Sequence, residues 1–180
     1  MTTFKNLSRI ILTIGTLSFS ILSNAQRLSI INSNIKIEGT STLHDWSMTS
    51  AQGTWTGNAN GNTINDVKFT MKTTSLKSKE SAMDKNAYKS LEASKYPEII
   101  FTTSSLPSNG TASVTGILTI TDISKNIKFP VSVVKIGNVY TIKGSTKLKM
   151  SAFGIKAPSF MMGTIKTGDE INISFNINAK

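Results

Sequence analysis

The sequence predicts an all-β, antiparallel domain with one short helix, and three observations predict it. Apolar residues recur at every second position, tight-turn residues separate those stretches, and a single segment carries a helical period. In a strand successive side chains point to opposite faces, so alternation means one covered face and one wet face. The clearest case is 140–150, where Tyr140, Ile142, Gly144, Thr146, Leu148 and Met150 share a face and Thr141, Lys143, Ser145, Lys147 and Lys149 take the other. Ile171, Ile173, Phe175 and Ile177 alternate with asparagine and serine in the same way. Val67, Phe69 and Met71 alternate with Lys68, Thr70 and Lys72. Further strands are expected at 35–38, 46–56, 98–104, 113–121 and 127–134. Gly57-Asn58, Asn60-Gly61-Asn62, Pro107-Ser108-Asn109-Gly110 and Gly137-Asn138 supply the positive-φ residues that tight reversals need. Many half-covered strands at this spacing make a sandwich or a closed barrel.

The helix is expected at 81–94. Met83, Ala87 and Leu91 recur every four residues with Tyr88 beside them, Ser81 and Asp84 have capping-box spacing, and Pro97 is expected to end the segment. Its apolar stripe is expected to pack on the sheet as ordinary core. A second aperiodic stretch, 153–163, is apolar and punctuated by glycine and proline, which predicts a long connection between the last two strands. Phe160, Met161 and Met162 in it need cover, so this loop is expected to close one end of the interior.

The N-terminus predicts export. Lys5 and Arg9 precede an apolar run from Ile10 to Leu22, and Ser23-Asn24-Ala25 has the small-x-small form of a signal peptidase site. Residues 1–25 are therefore read as a cleaved signal peptide and 26–180 as one domain, with the periplasm as the expected compartment. The apolar run is too short and too broken by Thr13, Thr16, Ser18 and Ser20 to span a bilayer. The absence of cysteine excludes disulfides, thiol catalysis and thiolate metal sites.

A formal charge of +10, lowered by two on losing Lys5 and Arg9, leaves a basic domain. Its lysines are dispersed and Arg27 is the single arginine after the leader, whereas nucleic-acid sites group arginines with stacking aromatics. A solvated lysine surface follows, with transient contact to anionic membrane headgroups as the remaining role and no nucleic-acid partner.

His44-Asp45-Trp46 is the one cluster with catalytic residue types, and His44 is the only histidine. In an extended segment His44 and Asp45 point to opposite faces and Ser41 also faces away from His44, so adjacency builds no Ser/His/Asp relay. His44 is expected to hold a loop or sit at a cavity mouth. One histidine without cysteine gives no zinc set, the acids follow no calcium-loop pattern, and no phosphate-binding glycine loop is present. No enzyme, metal or cofactor is expected. What remains is apolar surface, with Trp46, Phe69, Met71, Leu118, Phe129, Ile142, Leu148, Phe153, Phe160, Met161 and Phe175 as candidate lining. Periodicity does not choose between a packed core and a lined lumen, because both use the same inward pattern.

Taken in order, Met83-Asp84-Lys85-Asn86-Ala87-Tyr88, Lys95-Tyr96-Pro97-Glu98-Ile99-Ile100-Phe101, Thr115-Gly116-Ile117-Leu118-Thr119-Ile120 and Ile127-Lys128-Phe129-Pro130-Val131 resemble the YceI-like polyisoprenoid-binding family. Phe153-Gly154-Ile155 and Gly168-Asp169-Glu170-Ile171 are similar to its closing hairpin. The resemblance implies a lipocalin-like eight-stranded antiparallel β-barrel around a lumen that holds an isoprenoid or another long-chain amphiphile. Leu76-Lys77-Ser78-Lys79-Glu80 departs from the family pattern before the helix, so the family assigns no headgroup contact here. The other reading the sequence leaves is a structural or accessory periplasmic barrel that hands a lipid or quinone to a membrane partner.

Overall fold

The computed structural model describes residues 25–160 and 164–180, so the expected leader and residues 161–163 lie outside the description. Strands β1 (Gln26–Ser41), β2 (Trp46–Ser50), β3 (Thr54–Asn60) and β4 (Thr63–Lys72) lead to a 3-10 turn at Thr73–Ser75 and the helix α1 (Ser81–Ser90). Next come β5 (Glu98–Pro107), β6 (Gly110–Ile120), β7 (Ile123–Ile136) and β8 (Val139–Lys149), each antiparallel to the one before. A second 3-10 turn, Met150–Phe153, and the short β9 (Ser159–Phe160) precede β10 (Ile165–Ala179).

β10 pairs with both β8 and β1, which closes the sheet. β2 runs beside residues 35–39 of β1 and β3 beside residues 26–29, so the two form one interrupted stave of an eight-stranded antiparallel barrel. The strand expected at 46–56 is thus split. Ser50 Oγ accepts the Gln52 N–H at 3.2 Å and bonds Ser75 Oγ at 2.7 Å, and such local bonding competes with a ladder. Gly57-Asn58 is likewise no turn: both residues lie in β3 at a bulge, and the reversal comes at Gly61, whose φ is 57°. In the 140–150 segment the alternation is as expected, with Tyr140 and Ile142 buried and Lys143, Ser145, Lys147 and Lys149 exposed.

The two ends of the barrel differ. The tight β3–β4, β5–β6 and β7–β8 reversals share one end, where Ser29 and Lys180 exchange main-chain hydrogen bonds of 2.9 and 3.0 Å. The β1–β2 turn, α1, both 3-10 turns and β9 gather at the other. At the hairpin end Leu28, Ala59, Ile64, Val114, Val133, Tyr140 and Ala179 are buried together and fill the interior. Toward the other end the inward-facing Ile37, Phe101, Ile127, Ile173 and Phe175 stay only partly buried. A filled core would cover them. The interior is therefore packed in one half and hollow in the other.

α1 covers the hollow end. It begins at Ser81, but the expected Ser81/Asp84 capping box does not form. Asp84 Oδ1 instead accepts the Ser78 N–H at 2.7 Å and the Ser78 hydroxyl at 2.8 Å, anchoring the helix to the residues before it. The helix ends at Ser90, well before Pro97, because Glu92 adopts a left-handed φ of 47° and the Glu92 and Ala93 N–H groups turn back to Lys89 O and Tyr88 O. Tyr88 pins it to the chain beneath by donating to Leu76 O at 2.6 Å, and Lys77 in that segment bridges to Thr49 of β2.

Candidate ligand cavity

The hollow half is a cavity of about 450 Å³. Leu106, Val131, Ile142 and Ile177 form its deep end above the packed residues, and its walls are apolar side chains from the strands. Trp46, Phe69, Met71, Leu118, Phe129, Ile142 and Phe175 from the expected lining face it. Leu148 and Phe153 do not. Leu148 pairs with Ile171 near the end of β8 and packs on the core, although Thr146, Met150 and Ile171 around it face the space. The 3-10 turn carries Phe153 across the rim toward β7, where Thr121 Oγ1 donates to Phe153 O at 3.1 Å and the ring is buried. Phe160 pairs through its main chain with Ile165, while its side chain, Met161 and Met162 lie outside the described residues.

So many aromatics leave room because several lie flat over glycines. A Cβ on Gly39 would stand 2.3 Å from Trp46 Cζ2, one on Gly116 2.3 Å from Phe101 Cζ, and one on Gly144 2.5 Å from Phe175 Cζ. Each missing side chain seats a ring against the wall instead of across the lumen. Phe101, Phe129 and Phe175 then form a tilted, edge-on series with centroids 5.5 and 5.7 Å apart.

The helical stripe packs against the core as expected, and it also lines the cavity. Ala82, Met83, Asn86, Ala87, Ser90 and Leu91 all face the space. Met83, Ala87 and Leu91 are half-buried between the core and the space. Asp84 is the one fully buried helical residue. Phe101, Ile127 and Ile173 were also missing from the expected lining. Phe101 follows Ile99 and Ile100, and three apolar residues in a row carry no parity. Its pairing with Phe69 decides its face.

Polar groups gather at the end under α1. Ser41 comes from the end of β1 and His44 from the turn after it, Glu80 from just before the helix, Asn86 and Ser90 from the helix, and Thr167 from β10. Ser41 Oγ donates to His44 O at 2.7 Å and accepts the His44 N–H at 3.2 Å, while His44 Nδ1 sits 2.7 Å from Asp45 O. Both side chains are occupied by main chain, so the pair holds a turn at the mouth and is not a nucleophile with its base. His44 and Glu80 are the only ionisable side chains on the described wall. Among the described residues no three His, Asp or Glu side chains stand together as a metal site.

Burial pushes the Asp84 carboxyl up, but the Ser78 main-chain and side-chain bonds and nearby Lys77 outweigh it and hold the group below the ordinary carboxylate range. At Asp169 the Ser151 hydroxyl, at 2.6 Å, and the Ser151 N–H, at 2.7 Å, also lower the value. Folded carboxyls with lowered values bind fewer protons than the unfolded chain, so their stabilisation is complete above about pH 4 and disappears as pH falls through the folded values. Asp84→Asn is expected to lower stability at neutral pH and to flatten the acid limb of a denaturation profile. A limb as steep as that of the parent protein would show that Asp84 does not anchor the helix.

The chain matches the YceI-like domain family over residues 19–179. Among solved structures, Burkholderia cenocepacia BcnA is 20% identical with a TM-score of 0.69, over 82% of this chain and 96% of that one. A polyisoprenoid binding domain from Saccharophagus degradans, described as implicated in plant cell wall breakdown, also has a TM-score of 0.69, at 9% identity over 85% and 97% of the two chains. A Campylobacter jejuni YceI protein is 22% identical with a TM-score of 0.52, over 64% and 71%. At these identities the likeness is one of fold. No curated protein matches the chain.

Proposed function

Because this chain belongs to the YceI-like domain family, we propose that it is an exported carrier holding one long-chain, isoprenoid-like lipid in the hollow half of its barrel, by binding and not by catalysis. The observation that carries this reading is the cavity itself, apolar along its walls and polar only toward the end beneath α1. An amphiphile with its chain inward and its polar end under the helix matches that gradient. The chemical class comes from the Saccharophagus degradans neighbour.

The wall supports an uncharged polar end. A phosphate or diphosphate calls for Arg or Lys partners, whereas the ionisable groups on the described wall are Glu80 and His44. Ser41, Asn86, Ser90 and Thr167 offer neutral hydrogen bonds to a hydroxyl or carbonyl. Export rests on the leader, with cleavage after Ala25 and release to the periplasm.

Native mass spectrometry of protein purified from its own host tests both parts at once. The expected spectrum shows a chain beginning at Gln26 with one retained lipid of neutral headgroup. A lipid-free protein that also fails to take up a long-chain polyprenol would overturn the carrier reading and leave a structural barrel. A chain still carrying Lys5 and Arg9 would overturn the processing.

A further inference from the structure

We propose that the seam between β7 and β8 is a lateral route between lumen and solvent, with the Phe175 ring as its gate; this rests on the lumen being a ligand site. The β7–β8 ladder joins only residues 131–136 to residues 139–144. Beyond it β7 remains paired with β6 and β8 with β10, but not with each other. Pro130 stands where they part and has no N–H to offer β8. The β5–β6 ladder is short too, yet Thr103 Oγ1 donates to Thr115 O at 2.8 Å across it.

Outside the β7–β8 seam lies a separate cleft of about 330 Å³, bordered by Pro130, Ser132, Lys143 and Ser145. Val131, Gly144 and Phe175 line it from within, and Val131 and Phe175 also line the lumen. Beside Gly144 the wall is made by the Pro130 carbonyl and the Phe175 ring. Gly144, paired with both Val131 and Phe175, contributes no side chain, and the Phe175 ring covers its place. That ring is half-buried and meets Phe129 edge-on, with open lumen available for it to turn into. The last rung, Val131 with Gly144, borders the cleft, and past it, at Pro130 and Ser145, no β7–β8 pair remains to be broken when the ring turns. A gate of this kind changes the barrier to passage more than the bound state.

Stopped-flow fluorescence of the processed protein with N-phenyl-1-naphthylamine tests the proposal. In Phe175→Ala the on-rate is expected to rise about tenfold and the off-rate by at least as much, the rise in on-rate being what a lost wall contact does not produce. Phe175→Leu, which keeps more of the packing, is expected to lie between the two and serves if the alanine variant does not fold. A faster off-rate with an unchanged on-rate would mark Phe175 as an ordinary wall contact and overturn the gate. Unchanged rates would do the same. Failure of the parent protein to bind the probe would instead sink the lumen reading, and the gate with it.

Discussion

Ile64→Ala is expected to cost about 4 kcal/mol of folding stability, and Leu118→Ala only about 2 kcal/mol, although both remove a buried branched aliphatic side chain. Ile64 is fully buried at the hairpin end, paired with Ala59 and Leu106 and enclosed with Leu28 and Tyr140. The tight reversals on either side hold that end in shape, so the cavity left by truncation cannot collapse, and its cost adds to the lost transfer energy. Leu118 is 7% exposed, but it already borders the cavity. Its removal enlarges an existing space and forfeits fewer contacts. Denaturant unfolding of the two variants measures the difference. Equal losses would mean that the barrel is packed along its whole length, and the ligand cavity would have to be abandoned.

The staves were legible in the sequence wherever one face met solvent, because alternation of the Tyr140, Ile142 and Thr141, Lys143 kind reports two different environments. The same signal was silent on what lay inside. Tyr140 and Ile142 both point inward, and only the closure of the barrel puts the first among packed residues and the second on a cavity wall. Phe175 was expected on the lining, but nothing local shows that Gly144 seats its ring flat, as Gly116 seats that of Phe101. Ser78 was overlooked as the helix anchor because capping spacing pointed to Ser81, whereas the bond to Asp84 depends on how residues 78–80 turn before the helix. The Gln52 bond to Ser50 that splits the second stave is likewise local chemistry overriding a period.

Ala87→Trp is expected to leave folding stability within about 0.5 kcal/mol of the parent protein and to weaken binding of a long-chain polyprenol by about a hundredfold. Ala87 lies in the middle of the helical stripe and faces the lumen, with no buried side chain of α1 other than Asp84 competing for room. If the stripe only packed on the core, an indole there would overfill it and cost about 1–3 kcal/mol. Over a void it has space to occupy. The added ring then excludes about ten heavy atoms of ligand, and at about 0.3 kcal/mol each that is about 3 kcal/mol, or a little over a hundredfold in Kd. Thermal unfolding of the ligand-free variant and titration with polyprenol separate the two cases. A destabilised variant would assign the stripe to the packed core alone. A stable variant that binds polyprenol as tightly as the parent protein would place the ligand away from α1, and the polar groups beneath the helix would lose their assigned role.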